Sequence, residues 1–195
     1  MENFFWEVVE AGAEAPYYFY GPKNRALRVT RMKNAVKGLK LSDHDTVKLY
    51  EIALRSIDKL YNQDVHGACT LFWGGMSDDS FIYHCRWITS LGLDQYTLAL
   101  SDPDTFYSSF VDENPHPVSP YFETFVQPFK EPVENRNLED HVSVTLSTGH
   151  ALSKISIDLL RQRFPRIAGK LLEHQCGDFD SFSEAAERTK LMLGE

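Results

Sequence analysis

Apolar residues recur with a helical period along most of the chain. After Ser42, the positions Val47, Tyr50, Leu54, Ile57 and Tyr61 follow at spacings of 3, 4, 3 and 4, which predicts an amphipathic helix with one buried face. Ser42 with Asp45 three residues later approximates a capping box at its start. Val65, Ala68, Cys69 and Phe72 continue the pattern up to Trp73-Gly74-Gly75-Met76-Ser77-Asp78-Asp79-Ser80. There the helix is expected to stop, turn on Gly75 in a left-handed conformation, and restart with Ser77 as N-cap. Asp78 and Asp79 then fall in a first turn, where the helix dipole favours negative charge. Phe81, Cys85, Ile88 and Leu91 set the buried face of the second helix, and Gly92 is its expected stop.

The flanking segments carry the same grammar more faintly. Asn3 is a candidate cap for a short helix through Phe4, Trp6, Val8 and Val9, and residues 16–22 form an aromatic connector bounded by breakers. Val29, Met32, Val36 and Leu39 make a helical stripe with most cations off it. Asp94 is expected to cap a short helix reaching Leu100, and Asp102-Pro103 to open another through Phe106 and Phe110. Residues 112–120 hold three prolines and read as a loop, with Ser119-Pro120 starting the next helix. Residues 128–141 are polar and irregular and read as a mobile linker. Val142, Val144 and Leu146 alternate with polar residues, a strand signal. Helices are then expected over 150–163, 165–174 and 182–193. The fold class is mainly α: a compact single-domain helical bundle over 1–195, with one short β element near 142–146 and a less tightly joined helical subdomain over about 142–195.

Composition narrows the class without naming a task. With 43% hydrophobic and 25% charged residues, the 195-residue chain reads as a soluble globular protein. Three cysteines, Cys69, Cys85 and Cys176, are too few and wrongly spaced for a disulfide framework or a zinc knuckle. No apolar run approaches a membrane span, and the opening Met1-Glu2-Asn3-Phe4 lacks the basic region of a signal peptide. A cytoplasmic protein with no membrane association is expected. The net charge of −8 disfavours nucleic acid. Yet residues 23–40 hold seven cations and no acid, which leaves −15 on the remainder. An asymmetry of that size biases association towards acidic surfaces.

Several of these features occur together and in order: Asn3-Phe4-Phe5-Trp6, the elbow from Trp73 to Phe81, Arg86-Trp87-Ile88, Gly92, and Ala99-Leu100-Ser101-Asp102-Pro103-Asp104. In this the chain resembles the bacterial domain of unknown function family 4240. The match centres on residues 42–106, and the family-like region covers about 1–127. Ser80 stands where the family usually has Gly, and His84-Cys85 where an aromatic is expected. The resemblance implies a fold and brings no catalytic residue with it.

Two function classes follow from the candidate residues. Trp73, Ser77, Asp78, Asp79, Tyr83, Arg86 and Trp87 at the elbow, with Arg25, Arg28 and Arg31 on the basic segment, are the candidate binding residues. A non-enzymatic domain that holds another protein, immunity-like or regulatory in kind, is the leading expectation, with no cofactor and no metal. The alternative is a hydrolase-type, metal-assisted enzyme built on Asp78, Asp79 and the nearby His66 and His84. Against it, adjacent helical residues point about 100° apart, so the two carboxylates do not naturally face one point. The seven histidines form no HxxxH or HxH pair. Oligomeric state is open.

Overall fold

A computed structural model of the chain describes residues 1–12, 22–113, 123–144 and 155–173. Among these residues there are ten α-helices and no strand. In order they are α1 (Glu2–Ala11), α2 (Pro22–Gly38), α3 (Asp43–Leu60), α4 (Gln63–Trp73), α5 (Asp78–Ser90), α6 (Leu93–Ser101), α7 (Pro103–Glu113), α8 (Gln127–Glu134), α9 (Ile157–Arg163) and α10 (Pro165–Glu173). A 3-10 turn over Glu123–Val126 leads into α8.

Side-chain caps divide the chain as expected at three places. The Ser42 hydroxyl oxygen accepts from the Asp45 N–H at 3.2 Å and donates to the Asp45 carboxylate at 2.7 Å. Asp102 accepts from the Thr105 N–H at 3.0 Å and so opens α7. At the elbow the Ser77 Oγ accepts from the Ser80 N–H at 3.2 Å. Ser77→Ala is expected to cost about 1 kcal/mol, the usual loss for an N-cap, read as a lower urea midpoint at unchanged slope.

Other boundaries fall elsewhere, each for a local reason. The residue that closes α4 is Gly74, in the left-handed region at φ 74°, and Gly75 follows at φ 151°. Asn3 lies inside α1, which starts from Met1 without a side-chain cap. Asp94 sits in the first turn of α6, with Gly92 at the capping position at φ 98°. Residues 128–141 are no mobile linker, because α8 buries Pro128, Phe129 and Val133. Residues 142–144 form no strand. Val142 instead packs on a small cluster of Val47, Val133 and Leu138, and the Ser143 N–H and hydroxyl both donate to Glu51 at 2.8 and 2.7 Å. Helix α9 begins only at Ile157, capped by Ser156. The expected connector over 16–22, the helix start at Ser119-Pro120, residues 145–146 and the helix over 182–193 lie wholly or mostly outside the described residues.

The core is built around α5. Phe81, Ile82, His84, Cys85, Trp87, Ile88 and Leu91 are all buried, so this helix is covered on most sides by α3, α6 and the turn before α8. Two of its buried hydroxyls are satisfied internally: Thr89 donates to the Cys85 carbonyl at 2.9 Å and Ser90 to the Trp87 carbonyl at 2.7 Å. Phe5 of α1 lies 5.2 Å from Phe129 of α8, ring centre to ring centre.

Helices α9 and α10 belong to the same apolar cluster through Leu160, Phe164, Ile167 and Leu171. Gly67 of α4 makes room for them, since a Cβ there would sit 3.0 Å from both Leu160 Cδ2 and Phe164 Cε2. The start of α10 is held by α7. The two oxygens of Asp104 accept from the Arg166 and Ile167 N–H groups at 3.1 and 2.9 Å, placing a carboxylate on free donors at the positive end of the helix dipole.

Candidate functional site

The elbow residues do not gather on one surface. Trp73 ends α4, packed edge-on against Phe72 at 5.1 Å between ring centres. Ser77 is used as a cap, Asp79 is exposed, and of Asp78 only the backbone, the first residue of α5, is described. Tyr83 and Arg86 form the half-buried strip of α5, with the guanidinium carbon 5.2 Å from the Tyr83 ring centre, a cation–π contact one turn apart. Trp87 points inward against His84, Phe106 and Phe110.

His84 also points inward and is fully buried. Its Nε2 lies 2.7 Å from the Tyr107 hydroxyl, and Tyr107 in turn bonds to Cys69. In this chain Nε2–H donates to the phenol oxygen and the phenol to the sulfur, which leaves His84 Nδ1 as a buried acceptor with no hydrogen-bond partner among the described residues. Burial depresses the His84 pKa to about 3 and pushes the Cys69, Cys85 and Tyr107 values up. Each group is therefore held neutral. His66 packs edge-on against Phe81 at 4.8 Å. Exposed Asp79 and buried His84 thus lie in different environments, and no three His, Cys, Asp or Glu side chains among the described residues could hold a metal ion together.

The basic segment divides in two. Arg28 does not face solvent with the other cations. It is only 2% exposed, and its guanidinium donates to the Ser90 carbonyl at the end of α5. A cation there satisfies a carbonyl that the helix leaves over and sits at the negative end of its dipole. Gly12 gives the Arg28 stem its space, since a Cβ would meet Arg28 Cγ at 2.9 Å. Arg31 is half-buried, and the Arg25 side chain lies outside the described residues.

The C-terminal half of α2 does present its cations outward, and there the surface is concave. Two adjoining depressions of about 190 and 160 Å³ lie where α2 meets α8 and the start of α3. They share Lys37, Pro132 and Arg136. The first adds Lys33, Glu131 and Pro128, and the second Lys40 and Thr46. Lys33 is paired with Glu131, and that hydrogen bond holds the Glu131 carboxyl below the usual carboxylate range. One nitrogen of Arg136, Nη1, is fixed by the Leu41 carbonyl at 3.1 Å, Asp43 at 2.9 Å and Thr46 at 3.2 Å. Lys37 and Lys40 have no ion pair among the described residues. Lys40 also adopts φ 48°, a left-handed conformation that costs a residue with a side chain about 1–2 kcal/mol.

Lys33 and Lys37 stand in the charge run one helical turn apart, and Lys40 follows just past the end of α2, so this part of the groove has a sequence signal. Arg136 and Glu131 have none, since they come from a segment almost a hundred residues later. Neither the curated proteins nor the solved structures hold a match to the chain. A family model described as a protein of unknown function (DUF4240) matches residues 1–127, close to two thirds of the sequence. With the ordered motifs from the N-terminal Phe-Trp pair to Asp102-Pro103 falling within that span, the chain belongs to the DUF4240 family.

Proposed function

We propose that this chain is a non-enzymatic protein-binding domain, immunity-like or regulatory in kind, which holds an acidic partner through the C-terminal half of α2. The observation that carries the reading is the convergence of Lys33, Lys37, Lys40 and Arg136 on one concave surface of a chain whose net charge is −8. Exposed single ion pairs add only about 0–1 kcal/mol to folding, so unpaired lysines kept together have little structural use. A partner that meets several at once gains association rate and salt sensitivity. A bacterial cytoplasm suits the reading, with Cys69 and Cys85 buried as free thiols and no described helix long and apolar enough to cross a membrane.

The test is affinity capture from the native host with the wild-type chain and with Lys37→Glu/Lys40→Glu, followed by binding measurements on each purified candidate. An acidic protein retained by the wild type, lost with the double variant and weakened by added salt is the expected result. Equal retention by both proteins at every salt concentration would refute the assignment.

A further inference from the structure

We infer that Glu131 occupies its own protein's groove as a stand-in for a carboxylate side chain of the partner, and that an acidic peptide segment docks by displacing it from Lys33. The inference rests on the protein-binding reading and names what the groove takes. Its shape comes first: two depressions of about 190 and 160 Å³ adjoin along Lys37, Pro132 and Arg136 and make a trough across the surface. Neither alone is as large as the roughly 300–1,000 Å³ of pockets that enclose a whole small molecule. Such a volume suits single side chains from an extended segment lying along the surface.

The chemistry of the lining selects the side chain. Four cations and one carboxylate line the two depressions, and the rim acid Asp43 is already bound to Arg136. The Arg136 side chain engages described residues only through Nη1, which leaves its other guanidinium donors for a ligand. Glu131 reports the geometry that such a ligand would adopt. Its carboxylate bonds to Lys33 and feels Lys37, while Pro128 and Pro132 supply a stiff apolar wall beside it. The left-handed Lys40 directs a further cation to the second depression, where a glycine would serve the turn with less strain.

Fluorescence anisotropy with a fluorescein-labelled octaglutamate peptide tests this directly, on the full chain and on Glu131→Gln, Lys37→Glu and Lys40→Gly. Urea midpoints of all four proteins establish folding. Glu131→Gln is expected to bind about two- to fivefold more tightly, the worth of one exposed competing pair. Lys37→Glu should bind at least about tenfold more weakly. Lys40→Gly should bind about threefold more weakly while its urea midpoint stays level or rises, which separates charge from folding. Unchanged or weaker binding by Glu131→Gln overturns the stand-in role. Binding indifferent to Lys37→Glu and Lys40→Gly overturns the groove. Tighter binding of an oligothymidylate of equal charge overturns the peptide as occupant. Any of these, with capture of the native partner still dependent on Lys37 and Lys40, leaves the protein-binding reading standing. Loss of that dependence sinks both.

Discussion

Arg28→Glu is expected to lower folding stability by about 4–5 kcal/mol, a large share of the roughly 5–15 kcal/mol that holds an ordinary domain folded. Lys37→Glu, nine residues further along the same helix, should change it by less than about 0.5 kcal/mol. The difference lies in where each charge ends. Lys37 is exposed, whereas the Arg28 guanidinium is buried against the Ser90 carbonyl. A carboxylate there would face an acceptor at the negative end of α5, inside the core and without a donor. Arg28→Met keeps most of the stem and removes the charge, so its expected cost of about 2–3 kcal/mol isolates the unpaired carbonyl from lost packing. Urea denaturation of the three variants beside the wild type is the measurement. Equal midpoints for Arg28→Glu and Lys37→Glu would place Arg28 at the surface.

Mild acid should destabilise the protein before its carboxylates protonate. His84 titrates near 3 in the folded state because burial disfavours the imidazolium, and near 6.5 in an unfolded chain. Above pH 6.5 both states hold it neutral, so it contributes no slope. As pH falls below 6.5, the unfolded state takes up a proton that the folded state refuses. Stability then declines by up to about 1.4 kcal/mol per pH unit until the folded pKa is reached, or about 2 kcal/mol by pH 5. The neighbouring groups do not add to this window, since Cys69, Cys85 and Tyr107 are all pushed upward and stay protonated. Glu51, Asp102 and Glu131, whose values are lowered by hydrogen bonds, begin to lose their contribution only as pH falls through the ordinary carboxylate range, where the unfolded chain takes up their protons first. The double variant His84→Phe/Tyr107→Phe removes both ends of the bond and should flatten the slope between pH 6.5 and 5 by close to one proton. An unaltered slope would assign the acid sensitivity elsewhere.

Periodicity and capping made much of the helical order legible. The stripe from Val47 to Tyr61 became α3, and Ser42, Ser77 and Asp102 open helices as their chemistry predicts. Adjacent alternatives were harder. Gly74 and Gly75 both tolerate positive φ, and capping rules do not choose between neighbours of the same type. The central role of α5 was hidden by its own polar residues. His84, Thr89 and Ser90 read as one side of a half-exposed helix, but partners inside the core let them be buried. Prolines disguised α8, although Pro128 stands near its start, where a missing N–H costs little. Arg28 was illegible because its partner is a main-chain carbonyl 62 residues away. The lysines of the groove showed as a charge run, whereas the two residues that shape it with them arrive from α8 and its end.

That long reach also sets a clock on synthesis. Phe5 packs on Phe129, so the first helix to be made gains that part of its cover only after 124 further residues have been added. At the usual rate of about 5–20 residues per second, that wait lasts roughly 6–25 s. Meanwhile Phe5 lacks its ring contact from α8, and Gly67 waits longer still for Leu160 and Phe164. A newly emerging chain, whose α1 can already pack on α2 and α3, therefore keeps the Phe5 edge of its N-terminal apolar face uncovered until α8 is made, and chaperones that bind such faces have that interval in which to act.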